Sequence, residues 1–104
     1  MSFTIKTIID ELNAICDVRI QGYTDNIGFI YNMNISDSSF ALELEGMMYE
    51  LTIANRCERA VALFEAGEHS RFGVAARGIL KDLGMYDQDH HNFLALWCAQ
   101  HSRV

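Results

Sequence analysis

"SDSSFALELEGMMYELTIANRCERAVALFEAG", residues 36–67, is the stretch on which the fold turns. Two readings compete for it. Read with period two, Phe40, Leu42 and Leu44 alternate with Ala41, Glu43 and Glu45. After Gly46, the set Met47, Tyr49, Leu51 and Ile53 alternates with Met48, Glu50 and Thr52. Alternation over so many positions argues half-buried strands, with Glu45–Gly46 as the hairpin turn. Read with period 3.6, the same stretch is one long helix capped at Asp37 or Ser38, built from residues of good helix propensity. Against the helix, residues 40–53 would be apolar on nearly every side of it. The strand reading sorts them cleanly and is the one adopted.

Working outward, the residues before this stretch extend the pattern. In "NIGFIYNMNI" (26–35), Ile27, Phe29, Tyr31, Met33 and Ile35 alternate with smaller or polar residues. With "DVRIQGY" (17–23) ahead of them, four antiparallel strands result, joined by the polar turns "TDN" and "SDSS". Further upstream the period changes. Ile5, Ile8, Ile9, Leu12, Ile15 and Cys16 form one face of a helix over residues 3–16, with Ser2 as N-cap and Lys6 and Asp10 paired on the solvated side.

Downstream, three short helices are expected. "NRCERAVALFEAG" (55–67) has Asn55 and Glu58 at capping-box spacing and Gly67 as its stop. "SRFGVAARGILKDLG" (70–84) opens at Ser70 and closes at Gly84. The last begins at Asp87 or Asp89. The expected architecture is therefore α+β: an N-terminal helix, a four-stranded antiparallel β-meander, then three short helices packed on the sheet. At 104 residues, residues 1–104 read as a single domain.

That last segment, "DHHNFLALWCAQH" (89–101), invites a search for a metal or a nucleophile. On a helix, His90 and His101 share a side but stand roughly 16 Å apart, too far for one ion. His90 and His91 point about 100° apart, so one of them faces away. Only Cys98 and His101 are spaced to chelate together, and zinc takes three or four ligands. The rest would have to come from Cys16, Cys57, His69 or distant carboxylates, with no short-range motif to supply them. Cys98 falls on the apolar stripe with Leu94, where a cysteine packs rather than reacts. His90 and His101 are expected half-exposed at the ends of that stripe. "GEHSRFG" (67–73) places His69 and Arg71 at a helix start that suits an anion, but its spacing is that of a helix connection capped by Ser70. No catalytic residue, metal ligand set or cofactor is expected.

Charge is more informative. Residues 1–55 hold eight acids and two bases, whereas residues 56–104 hold six of each, so the net charge of −6 belongs to the first half. An acidic half repels phosphate, which argues against direct nucleic-acid binding. It attracts basic surfaces, which are often the nucleic-acid-binding faces of other proteins. A hydrophobic fraction of 50% exceeds what so small an interior needs and favours a partner surface or a homodimer. Three cysteines without paired spacing make no disulfide framework. No signal segment and no membrane-length apolar run appear, so a reduced, cytoplasmic protein is expected.

These observations lead to an expected function. The chain reads as a small acidic protein-binding inhibitor, in the manner of immunity proteins or of phage anti-defence (anti-CRISPR-like) proteins. It would block a basic, nucleic-acid-handling protein through the acidic sheet, with Glu43, Glu45, Glu50, Asp25 and Asp37 as the charges and Tyr31 and Tyr49 as aromatic anchors. A dimeric adaptor or secretion-type chaperone is the alternative, and a metal-binding or Cys/His enzyme the third.

Overall fold

The computed structural model describes residues 3–31 and 36–101, with side chains for all of these except 29–31. Four helices follow one another: α1 (Ile5–Tyr31), α2 (Asp37–Glu65), α3 (His69–Asp82) and α4 (Gln88–His101). No strand occurs among the described residues. The α+β expectation is overturned, and with it the four-stranded meander. "DVRIQGY" and residues 26–31 belong to α1, residues 40–53 belong to α2, and residues 32–35 lie outside the described residues.

Local chemistry explains why the helix wins at residues 36–65. "SDSS" is a cap rather than a strand turn. The Ser36 hydroxyl accepts the Ser39 N–H at 3.3 Å, and Asp37 places a negative charge in the first turn. Between residues 40 and 51 there is no Val, Ile or Thr, so the β-branched residues that favour a pleated strand are missing. Asn55 and Glu58, read as a capping box, lie in the interior of α2. The helix ends at Glu65, and Gly67 follows at φ +79, a left-handed conformation that glycine adopts without a Cβ penalty. Gly84, at φ +70, does the same after α3.

α1 continues past residue 16 although Gly22 and Gly28 weaken it. Side chains on the helix support this stretch: Gln21 Nε2 donates to Asp25 Oδ1 at 2.7 Å, and Asn26 Nδ2 donates to the Gly22 carbonyl at 2.7 Å. Packing against α2 supplies the rest. The two long helices run antiparallel, bridged where Arg19 Nη1 donates to Glu50 Oε2 at 2.8 Å. Such a half-exposed pair contributes up to about 1 kcal/mol; the apolar seam beside it contributes more.

The core lies at one end of this hairpin. Ile8 and Leu12 from α1, Ile53, Cys57 and Ala60 from α2, Phe72, Ala76 and Ile79 from α3 and Leu94 from α4 form one buried cluster. Fully burying each large member contributes about 1.5–3 kcal/mol, so this end dominates stability. α3 packs along α2 and finishes at an ion pair, Arg56 Nη1 to Asp82 Oδ2 at 2.9 Å. α4 is held on α3 through Gly73, where an added Cβ would lie 2.7 Å from Cys98 Sγ and 2.9 Å from Trp97 Cδ1.

Lengths set the shape. α1 and α2 have 27 and 29 residues and α3 has 14. At about 1.5 Å per residue the hairpin runs roughly 40 Å and α3 covers about half of it. The molecule measures 54 × 31 × 20 Å. One end is a four-helix core, and the other is a two-helix arm.

Candidate functional site

Three places carry chemistry: a buried histidine, an aromatic–imidazole cluster, and the arm.

His90 is 4% exposed, not half-exposed as its place at the end of a stripe implied. Asp87 caps α4, its Oδ1 accepting the His90 N–H at 3.0 Å and also facing the ring Nδ1 at 2.6 Å. On the other side, Nε2 stands 3.0 and 3.1 Å from the two oxygens of Glu11 on α1. Carboxylate oxygens only accept, so Nε2 donates to Glu11, while Nδ1 also lies 3.3 Å from the Asp87 backbone N–H, which donates to it. The backbone N–H of His90, together with its ring, holds the Asp87 carboxyl below the ordinary aspartate range, although partial desolvation opposes this. Phe3 meets the ring edge-on at 5.1 Å and Tyr86 stacks at 6.2 Å. These contacts enclose the ring and tie α4 to α1. His91 points away and is exposed, its Nδ1 3.3 Å from the Tyr86 hydroxyl.

The second cluster joins α4 to the α2–α3 turn. Trp97 Nε1 donates to the His69 carbonyl at 2.8 Å. The rings of His69 and His101 lie 4.9 Å apart, and Phe64 and Phe72 close the group around Trp97. His69 Nδ1 is buried without a hydrogen-bond partner. A shallow cleft beside it is lined by Gly67, Ser70, Arg71, Gln100 and His101. Ser70 does not cap α3, whose N-cap is Glu68, with no side-chain cap bond. Cys98 packs against Gly73. Among the described residues, no three His, Cys, Asp or Glu side chains converge on a place for a metal ion. Cys57 is buried and its thiol is pushed up in pKa by that burial; the thiol of Cys16 is raised for the same reason, with Glu58 and Asp17 adding to it.

The arm holds the residues expected to meet a partner. Between residues 17 and 52 stand six carboxylates (Asp17, Asp25, Asp37, Glu43, Glu45 and Glu50) and one cation, Arg19. That cation is held by Glu50, so Glu50 is half-buried rather than a free outward charge. Glu43, Glu45, Asp25 and Asp37 are exposed. They do not line one face, as a sheet would have arranged them. Glu43 and Glu45, two apart, point about 160° from each other on a helix, so the acidity surrounds the arm. Tyr49 is 54% exposed. Tyr31 ends α1 and its side chain lies outside the description.

Missing from the sequence reading were the large apolar residues that share the arm's surface: Val18, Ile20, Leu42 and Met48. Their signal was present in the objection to a helix at residues 40–53, that it would be apolar on too many sides. α2 does carry apolar residues on its solvent side as well as on its buried side. No helix of the described residues is long and apolar enough to cross a membrane. No family model, curated protein or solved structure matches the chain.

Proposed function

We propose that this protein is a small acidic inhibitor that binds another protein through its helical arm and covers a basic, nucleic-acid-handling surface there. One observation carries the reading. The charge asymmetry along the sequence becomes an asymmetry in space, because six carboxylates and one already paired cation occupy the arm while the rest of the chain holds eight acids against seven bases. An acidic, protruding rod is drawn to basic surfaces over distances of about a Debye length, roughly 8–10 Å in physiological salt, and is repelled by nucleic acid. Exposed apolar side chains on the same rod supply contact area once the charges have steered the encounter.

The experiment is a comparison of proteins retained by the immobilised chain from a nuclease-treated extract. Wild type is expected to hold a basic nucleic-acid-binding protein that elutes as salt rises. A triple variant, Asp25→Lys, Glu43→Lys and Glu45→Lys, is expected to release it. Glu50 is left in place because it holds Arg19. An identical retained set for both proteins contradicts the proposal.

A further inference from the structure

We infer that the side of the arm just beyond the end of α3 is a seat for one amphipathic, basic α-helix of a partner protein, which lies where a longer α3 would lie. The inference rests on the reading of the arm as an interaction surface and says what kind of segment docks there.

The seat continues an interface the fold already uses. Leu42, Gly46, Tyr49, Ile53 and Ala60 fall on one side of α2, at spacings of four, three, four and seven. The lower two are buried in the cluster that includes Phe72, Ala76 and Ile79 of α3. The upper side chains are open: Tyr49 is 54% and Leu42 is 69% exposed. The change comes where α3 stops, at the Arg56–Asp82 pair. α1 behaves in parallel. Beside the chain that leaves α3, Ile15, Val18, Leu83 and Met85 line a largely apolar groove together with Glu11 and Arg19, the latter neutralised by Glu50. Val18, at its upper lip, is 69% exposed. Gly22 and Asp25 follow on the same side of α1, four and seven residues on. The end of α3 thus pairs with α2 through Asp82 and shares a groove with α1 through its C-cap Leu83, and beyond it the track between the long helices runs on for about two turns.

Backbone shape and charge specify the occupant. Gly46 sits in the middle of the track with no atom within 4 Å of where a Cβ would be. A helix can therefore approach the α2 backbone closely there. The rim is acidic: Glu45, three residues from Leu42 and four from Tyr49, borders one side, and Asp25 borders the other; both are exposed. A second copy of this chain would bring its own carboxylates against these, whereas a helix with lysines or arginines flanking an apolar stripe matches both the floor and the rim.

The test uses a synthetic helical peptide of about three to four turns, with leucines on one side and arginines on the other, and a scrambled peptide of identical composition. Binding is read by fluorescence anisotropy in about 150 mM salt. The patterned peptide is expected to bind wild type at least tenfold more tightly than the scramble. Gly46→Leu fills the track from an exposed helix position, and is expected to abolish that difference while circular dichroism stays unchanged. Equal binding of both peptides overturns the seat and leaves the acidic-arm reading standing. Failure of both peptides to bind overturns the two together. Self-association of the chain that Gly46→Leu removes overturns the seat's assignment to a basic helix, since a second copy would then be the occupant.

Discussion

His90 Nε2 lies 3.0 Å from Glu11 Oε1 and joins the first turn of α4 to α1 across 79 positions of chain. With Asp87 on the other nitrogen, a buried imidazole is satisfied on both sides. Substituting His90 by Ala removes a buried ring and leaves both carboxylates without it. The expected loss is about 2–4 kcal/mol of unfolding free energy, read by urea denaturation. Glu11→Gln keeps an acceptor for Nε2–H, so its loss is expected to stay below about 1.5 kcal/mol. Equal losses for the two variants would contradict the assigned hydrogen bonds.

Asp87 sets an acid-side limit on stability. Its carboxyl is held below the ordinary aspartate value of 3.8, chiefly by the His90 N–H. A depressed folded value means the ionised form is preferred in the folded state. The contribution is therefore complete above the ordinary value and lost as pH falls through the lowered one. Asp87→Asn keeps a capping oxygen but not the charge. Between neutral pH and the acid range, its melting temperature is expected to fall less than that of wild type. Parallel melting curves for the two proteins would refute this.

Two glycines inside helices are expected to respond to alanine with opposite signs. At Gly46 the added methyl meets nothing, and alanine stabilises a helix interior by about 1 kcal/mol over glycine. At Gly73 the methyl would press on Cys98 and Trp97, and overpacking there costs about 1–3 kcal/mol. Thermal melting separates the two. A rise at both sites would mean that α4 does not pack on α3 as described.

Thiol reactivity reports on the core. Burial of Cys57 raises its pKa, which lowers the thiolate fraction, and the side chain is also inaccessible. Alkylation of native protein followed by peptide mass mapping is expected to leave Cys57 unmodified until denaturant is added. Labelling of Cys57 at the rate of a free cysteine would contradict the α1–α2–α3 packing.

Parts of this structure were legible in the sequence because they rest on local chemistry. The apolar face at Ile5, Ile8, Ile9 and Leu12, the Lys6–Asp10 pair at 2.7 Å, the left-handed stops at Gly67 and Gly84 and the Asp87 cap all act within a few residues. The β-meander was misread for a physical reason. α2 carries Leu42, Met48 and Tyr49 on sides that face solvent, and a helix with surplus apolar residues imitates alternation. The tie between His90 and Glu11, and the neighbouring rings of His69 and His101, depend on which helices meet. Nothing local announces either. The acidic bias was legible as a count, but its concentration on a protruding arm required the helices.

That arm is available to a partner only if the chain leaves it uncovered in solution, and sedimentation velocity across the micromolar range measures this most directly. The expected result is a monomer of 11.8 kDa with the elevated frictional ratio of a 54 Å long molecule. A dimer at these concentrations, dissolved by Leu42→Glu or Tyr49→Glu, would contradict the central claim, because the apolar track would already be occupied by a second copy.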